Sequence, residues 1–372
     1  MKISFIQIGG MCGGVKVVGI LADCLTRRGH DVTVVTLPVL LPSFKSKFKQ
    51  FLLGRGWPRT NRDSHLDRYS IRQRPLAAFR PVLDEDVPDG DIVIATWWET
   101  AEWVARLSPS KGAKVYFVQG HETFSEGSAD RIRATYSLPM HKIVVSRWLK
   151  DLMRDTYGDA HATLAANAVD GSQFFAAPRG RQSPPTVGLI YSDSPVKSVD
   201  VALRAIEIVR REIPNLNVVS FGTWPAPAEF TSQPGVTFVQ LPEQHRIRDL
   251  YARCDAWLVS SRSEGFGLPV LEAMACRTPV VSTRSGGPQD LVRDGVNGYL
   301  VDVGDAPGMA GRILEVLRMP EDRWKSMSEA AHGTATGYTW DEAADRFLEG
   351  LRTARTGRPR TERLSPVELQ PK

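Results

Sequence analysis

Short apolar runs separated by helix-like stretches make up most of this chain. The runs are rich in valine, isoleucine and aromatic residues, which is typical of buried strands in a parallel sheet. Between them lie stretches with apolar residues three and four positions apart, which predict amphipathic helices. Repeated strand–helix alternation predicts an α/β fold. The clearest runs are residues 2–8, 31–37, 91–98, 114–119, 141–146, 186–191, 216–222, 236–241 and 256–261.

The length of 372 residues leaves room for two domains, each with a full core. A segment rich in proline, glycine and arginine, residues 176–185, predicts a linker between them. We therefore expect a first domain over 1–175 and a second over 186–338. A helix is expected over 339–352, and the Pro/Arg/Glu-rich tail, 353–372, is expected to be disordered.

Composition excludes several classes of protein. Hydrophobic residues make up 42% of the chain and charged residues 24%, as in globular proteins. The four cysteines are scattered without a CxxC pair, so neither a disulfide framework nor a zinc site is expected. No apolar run is long enough to span a membrane, and the chain opens on a strand rather than a signal peptide. A cytoplasmic location is therefore expected. No catalytic metal is expected either, because no Asp-x-Asp pattern occurs in the context of a strand.

The net charge of +5 is unevenly distributed. Residues 43–80 hold ten Lys and Arg against two Asp, and the tail is also basic, so the rest of the chain is net negative. This distribution argues against a general nucleic-acid binder. Within 43–80, Phe44, Phe48 and Phe51 share a helical face with lysines between them. Such a helix could lie on the inner face of an anionic membrane, or it could pack its phenylalanines on the domain.

Two positions near the ends of early strands could contact a ligand. Gly13 and Gly14 belong to a glycine cluster that follows the first strand, a weak signal shared by many nucleotide-binding folds. The cluster is not a GxGxxG with an acid after strand two, so a dinucleotide site is a poor interpretation. His121 follows the strand of residues 114–119, where open α/β sheets bind ligands, although a lone histidine is more often structural.

The most informative stretch is residues 254–302. A buried strand, 256–261, leads to a loop that starts at Glu264 and contains two glycines, and Pro269 then suits the first turn of a helix. This arrangement points backbone N–H groups and the positive end of a helix dipole at one place, which suits a phosphate. Acids on both sides, Glu264 and Glu272, suit a ligand with hydroxyls at both ends, such as a nucleotide sugar. An ordinary βα turn with surface acids is the alternative.

The same stretch resembles the retaining glycosyltransferases of family four. The likeness covers SRSEGFGLPVLEAMAC, then TPVV, Ser285-Gly-Gly and DGVNGYLV, four motifs in the family's order. It implies the GT-B fold, in which two Rossmann-like doubly wound domains face each other across a cleft. The helix at 339–352 would return to the first domain.

The resemblance also implies a role for each matching residue. Glu272 would hold the ribose of a nucleotide-sugar donor, Lys197 its phosphates, and Glu264 with the glycine amides the sugar and diphosphate. The catalytic residues would be His121, Lys197 and Glu264, and the acceptor and diphosphate loop would contain Gly13 and Gly14. The donor-binding residues would be Gly222, Gly265, Phe266, Gly267, Leu268 and Glu272.

Two positions depart from the family pattern. Ala168 replaces a glycine in the element Asn167–Asp170, a mild change. Tyr191 stands six residues before Lys197, where the family usually has an arginine, and this puts the full clamping of the phosphates in doubt.

We therefore expect a retaining, metal-independent glycosyltransferase that acts on a sugar, lipid-linked or small-molecule acceptor in cell-surface polysaccharide, glycolipid or secondary-metabolite synthesis. No cofactor is expected beyond the nucleotide-sugar donor, and UDP, GDP and dTDP sugars remain open. The alternatives are a catalytically idle scaffold or partner protein of the same fold and a sugar-nucleotide epimerase. A hydrolase that uses Glu264 and Glu272 as a carboxylate pair is less consistent with the glycines between them.

Overall fold

The computed structural model describes residues 1–38, 48, 64–123 and 129–357. The helix predicted around Phe44–Phe51 falls almost wholly outside these residues, as does the tail from residue 358 onward. In the described part of the chain no helix is both long and apolar enough to cross a bilayer.

The first domain is built on a parallel sheet with the order β3-β2-β1-β4-β5-β6-β7 among the described residues. Its central strands are buried, because helices cover both faces. The strands are β1 (Lys2–Ile8), β2 (Asp31–Leu37), β3 (Arg72–Pro75), β4 (Ile92–Ala95), β5 (Ala113–Val118), β6 (His141–Val144) and β7 (Thr163–Leu164). The helices are α1 (Gly13–Arg27), α2 (Trp98–Arg106), α3 (Ala129–Tyr136) and α4 (Arg147–Tyr157).

Local signals place several of these element ends. Ser146 caps α4, since its side chain accepts a hydrogen bond from the Leu149 amide at 3.2 Å. Gly158 ends the helix in the left-handed conformation, with a φ of 70°. Strand β4 stops at Ala95, earlier than the apolar run of 91–98 suggests. The Thr100 hydroxyl accepts from the Trp97 amide at 2.9 Å and fixes the start of α2.

The second domain repeats the architecture with the parallel order β10-β9-β8-β11-β12-β13 in its described residues. The strands are β8 (Thr186–Ile190), β9 (Asn217–Gly222), β10 (Val236–Gln240), β11 (Ala256–Val259), β12 (Val280–Thr283) and β13 (Gly298–Val301). The helices are α5 (Val199–Glu212), α6 (Ala228–Thr231), α7 (Ile247–Ala252), α8 (Leu268–Ala275), α9 (Pro288–Leu291), α10 (Ala306–Arg318) and α11 (Glu321–Thr336).

The segment between the domains is held by partly buried contacts. The Arg179 guanidinium donates to the carbonyl of Cys254 at 2.5 Å and to the hydroxyl of Thr278 at 2.9 Å. It also lies 4.8 Å from the ring centroid of Trp324 in α11. These bonds fasten the predicted linker to the second domain.

The last described helix, α12 (Trp340–Thr356), crosses back and packs on the first domain. Its Phe347 ring lies 6.0 Å from that of Phe5 and 5.0 Å from that of Phe117. The helix runs four residues past the predicted end at residue 352, so residues 353–356 of the expected disordered tail are helical. Gly357 ends it in the left-handed conformation, with a φ of 66°.

Candidate functional site

The loop between β11 and α8 has the conformation that its glycines and proline predict. Gly267 stands at the N-terminus of α8 with a φ of 96°, a conformation that favours glycine, and Pro269 lies in the first turn. The backbone of Glu264 pairs with the next turn: its amide donates to the Ser285 carbonyl at 2.7 Å, and its carbonyl accepts from the Gly287 amide at 2.9 Å. The Ser285-Gly-Gly motif therefore fixes the loop from behind.

Glu264 and Lys197 are in direct contact. The Lys197 ammonium lies 2.6 Å from Oε1 of Glu264, and the Ser261 hydroxyl donates to the same oxygen at 2.6 Å. The Glu264 side chain is only 12% exposed, whereas that of Lys197 is 40% exposed. The carbonyl of Lys197 also accepts from Ser260 at 3.0 Å, which ties its loop to the end of β11. Because the Lys197 backbone is held in place and its side chain is partly exposed, its ammonium is suited to bind an anionic ligand.

Glu272 is bonded to a residue of the other domain. The ammonium of Lys16 in α1 lies 3.0 Å from Oε1 of Glu272, and both side chains are 13% exposed. The other oxygen, Oε2, accepts from the phenol of Tyr251 at 3.0 Å. Tyr251 is fully buried, and this burial raises the pKa of its phenol well above the ordinary value. Both carboxylate oxygens of Glu272, the residue predicted to bind the ribose, therefore have hydrogen-bond partners.

His121 lies just after β5, beside α4. Its Nε2 is 2.8 Å from the Tyr157 hydroxyl, and its Nδ1 is 3.5 Å from the Thr123 hydroxyl. The Trp148 ring stands edge-on at 6.4 Å. Partial burial, and to a lesser extent the positive charge of Arg133, lowers the pKa of His121, so the neutral imidazole is favoured near pH 7.

The two domains touch at the glycine loops. A Cβ atom added to Gly265 would lie 1.8 Å from the carbonyl oxygen of Gln119, two residues before His121. One added to Gly13 would lie 3.2 Å from Cδ1 of Leu268 at the start of α8. The motif loop of the second domain therefore abuts both the glycine loop and the β5 end of the first, and the predicted site residues of the two domains meet across one cleft.

A second contact lies beside the first. The amide of Arg147 donates to Oδ2 of Asp290 in α9 at 2.6 Å. Gly286 packs against the Trp148 ring, at which an added Cβ would lie 2.7 Å from the nearest atoms. The N-terminus of α4 therefore holds the Ser285-Gly-Gly turn, and the cleft is closed along this side as well.

Gly222 and Phe266, the remaining predicted positions, make close backbone or packing contacts. A Cβ on Gly222 would lie 2.4 Å from the Tyr191 carbonyl, so the two strand ends approach closely. The Tyr191 ring lies 5.3 Å from that of Phe230 and 6.1 Å from that of Phe238. Phe266 is 4% exposed and its ring lies 6.0 Å from that of Tyr338, so its side chain belongs to the core.

Glu122, next to His121, lies in an unusual environment for a carboxyl group. Its Oε2 is enclosed and has no hydrogen-bond partner among the described residues. Burial raises the pKa of Glu122 to about 8, although the Trp98 amide opposes this. Near neutral pH the protonated form is therefore favoured, and the group could donate a hydrogen bond.

The sequence pattern did not identify Lys16, Gln119 or Tyr251 as site residues. Lys16 carried a signal, because it is the only charged residue in the apolar stretch from Gly13 to Ala22. In the described ranges no three His, Cys, Asp or Glu side chains are grouped so as to hold a metal ion.

Comparison with known proteins points to glycosyltransferases. Residues 173–333 match the family model "Glycosyl transferases group 1". The D-inositol 3-phosphate glycosyltransferase of Mycolicibacterium vanbaalenii is 32% identical over 222 residues, which are 54% of this chain and 45% of that protein. The chain therefore spans less than half the length of this curated relative.

Two solved structures share the fold over nearly the whole chain. HepE from Anabaena in complex with UDP-glucose aligns with a TM-score of 0.70 and 18% identity, covering 95% of this chain and 100% of that one. TarM from S. aureus, a mutant in complex with Fondaparinux, alpha-GlcNAc-glycerol and UDP, aligns with a TM-score of 0.72 and 12% identity, covering 94% and 100%. The predicted fold class is confirmed, since the chain has the GT-B fold. The match of residues 173–333 to the group 1 glycosyl transferases supports the resemblance to family four.

Proposed function

We propose that this protein is a retaining glycosyltransferase that moves a sugar from a nucleotide-diphosphate donor to an acceptor hydroxyl. The observation that carries the proposal is the Lys197–Glu264 contact of 2.6 Å at the head of the glycine loop. It joins a cation and a carboxylate at the carboxyl edge of the second sheet, where open α/β sheets bind ligands. The matches to glycosyltransferases in family and fold support the same activity.

Lys197 would neutralise the charge that develops on the diphosphate as the bond to the sugar breaks. A preorganised cation in a closed cleft stabilises such charge more than it would in water. The amides at the N-terminus of α8 would add partial positive charge on the same side. Because Lys197 would supply this charge, the reaction that we propose needs no metal.

Glu264 would hold Lys197 in place and face the donor sugar with the Gly265 and Gly267 backbone, and Glu272 would bind the ribose hydroxyls. His121 would contact the sugar from the first domain, with Tyr157 fixing its ring through the 2.8 Å bond. Gly13 and Gly14 would allow the diphosphate and the acceptor to approach the backbone of α1. Closure of the two domains would exclude water, which would otherwise compete with the acceptor.

Retention follows in this proposal from attack on the same face that the diphosphate leaves. The leaving phosphate oxygen would take the proton of the acceptor hydroxyl, and no covalent sugar–enzyme intermediate would form. Support for this step comes from the resemblance to family four. The stereochemistry of the product, read from the anomeric proton coupling by NMR, is its direct test, and an inverted product would contradict it.

The first experiment is titration of the purified chain with UDP, GDP and dTDP. We expect one of these nucleotides to bind, and we expect both Lys197→Ala and Glu272→Ala to weaken its binding. Lys111→Ala is a matched control, because Lys111 pairs with Asp89 at 2.7 Å near the opposite, amino-terminal edge of the first sheet. UDP is tried first, since HepE was solved with it.

Donor turnover is then measured by release of the nucleotide from its commercially available sugar forms. The proposed function would be wrong if the folded wild-type chain bound none of the three nucleotides. The alternative of an idle scaffold protein would then be the better explanation.

A further inference from the structure

Lys16 stands out among the cleft residues because no motif assigned it a role. It is the fourth residue of α1, one turn from the Gly13 and Gly14 loop. Its ammonium lies 3.0 Å from Glu272 of the other domain and is largely shielded from water, since both side chains are 13% exposed. Taking a lysine out of water is costly unless a carboxylate compensates it. The contact is therefore a built feature of the closed cleft.

The surroundings of Glu272 decide which of its partners can leave. Tyr251 is fully buried and packs against Phe174, with ring centroids 6.1 Å apart, so its hydroxyl is fixed. Lys16 lies over the edge of this cluster, 4.6 Å from the Phe174 ring centroid, on a flexible four-carbon stem. When ribose hydroxyls approach Glu272, Lys16 is the partner free to swing aside.

The glycine loop that would hold the diphosphate lies close to Lys16. Gly13 and Gly14, which would approach the diphosphate, lie one turn before Lys16, and Gly13 meets Leu268 at the start of α8. A lysine that leaves a carboxylate for a diphosphate keeps a charged partner throughout. The tyrosine at position 191 packs its ring against Phe230 and contributes no positive charge there. Lys16 would add a second positive charge to that of Lys197.

We propose that Lys16 is a donor-binding residue that exchanges partners: it pairs with Glu272 in the closed, donor-free cleft and with the donor diphosphate in the complex. This inference rests on the proposed function, and it adds a residue of the first domain to the binding of the donor. It also couples donor binding to the contact between the domains, because the same ammonium serves both.

The test compares a nucleoside diphosphate with its nucleoside, because only the first carries the phosphates. Whichever of UDP, GDP and dTDP binds is titrated by calorimetry, with the matching nucleoside, into wild type, Lys16→Met and Lys16→Arg. Loss of one charge-assisted contact predicts roughly tenfold weaker diphosphate binding by Lys16→Met. Nucleoside binding by the same variant should be unchanged or tighter, since Glu272 is released. Lys16→Arg should restore most of the diphosphate affinity.

Several outcomes would overturn the inference. Equal weakening of nucleoside and diphosphate in Lys16→Met would show a structural role alone, and unchanged diphosphate binding would show none. Arg262 offers a rival cation, since its Nε is held 2.9 Å from the Ser198 hydroxyl next to Lys197. Loss of diphosphate affinity in Arg262→Met but not in Lys16→Met would assign the second charge to Arg262. A folded wild type that binds no nucleotide would instead overturn the proposed function itself.

Discussion

The two glutamates of the motif each contact a lysine, but the two lysines come from different parts of the molecule. Lys197 reaches Glu264 from a neighbouring loop of the same domain, and its side chain stays 40% exposed. Lys16 reaches Glu272 from the other domain, and both side chains of this pair are 13% exposed. The first pair depends on the fold of one domain, whereas the second exists only when the two domains are closed.

In the proposed function, this difference would separate two tasks in one cleft. A pair that belongs to a single domain keeps its geometry while the other domain moves, which suits the chemistry at the reacting bond. A pair that spans the cleft responds to every change in the distance between domains, which suits the recognition of a ligand that both domains hold. Three of the four predictions below test this division.

The largest effect is expected from Lys197→Met, which removes the charge of the in-domain pair. Turnover should fall by roughly 10²–10³, the usual cost of deleting one group that stabilises developing charge. The measurement is the initial transfer rate at saturating donor, with Lys111→Met as the control. A variant with wild-type turnover would show that Lys197 does not face the leaving group.

Gly265→Ala tests the contact of Gly265 with Gln119 between the two domains. It leaves both side chains of the Lys197–Glu264 pair in place. Its new Cβ would lie 1.8 Å from the Gln119 carbonyl oxygen, so the domains could not close as they do here. Misplacement of the two halves by about 1 Å predicts a loss of up to roughly a hundredfold in rate.

The melting temperature of Gly265→Ala should fall by only about a few degrees, because each domain keeps its own core. Small-angle scattering should show a larger radius of gyration. Gly311→Ala is the matched control, because nothing lies within 4 Å of its added Cβ. Normal scattering together with a normal rate would mean that closure does not need this contact.

The resemblance placed Lys197 and Glu264 in one site without predicting their contact, and the sequence analysis did not identify Lys16 at all. The turn at Gly267 and the helix start at Pro269 follow from local sequence, because glycine favours tight turns and proline favours the first turn of a helix. Lys197 and Glu264 are far apart in sequence, and only the resemblance to a family brought them into one site. The pairing of Lys16 with Glu272 depends on how two complete domains meet, and no local pattern encodes that.

Packing explains the other differences from the sequence-based expectations. Tyr191 was noted as a lost charge, but its contacts with Phe230 and Phe238 could not be foreseen, since they join residues of three separate elements. The end of α12 was placed too early because polar residues follow Leu351. The helix continues until Gly357 can adopt the left-handed conformation that ends it.

Glu122 differs from Glu264 and Glu272, because none of the described cations pairs with it. Its pKa is raised from 4.5 to about 8, so its charged form destabilises the fold. The stability linked to this group is complete below about pH 4.5 and is lost as the pH rises through 8. Glu122→Gln cannot ionise, so it should gain about 1–2 kcal/mol on the wild type between pH 5 and pH 9, less than the full shift because relaxation offsets part of it.

The measurement for Glu122→Gln is urea unfolding across that range of pH. Glu229→Gln, an exposed position, should run parallel to the wild type. Parallel curves for Glu122→Gln as well would mean that water or a cation reaches its carboxyl group in solution.

The smallest effect is expected in the coupling energies of the two pairs, measured by double-mutant cycles on the free energy of unfolding. The cycle of Lys197→Met with Glu264→Gln should give about 0.5–1 kcal/mol, because water screens the exposed ammonium. The cycle of Lys16→Met with Glu272→Gln should give about 1–2 kcal/mol and depend less on salt, because neither partner is well exposed. If the second coupling were near zero while the first survived, the domains would be open in donor-free solution. Lys16 would then meet Glu272 only when a ligand draws the two domains together, and the exchange of partners would begin from water rather than from the carboxylate.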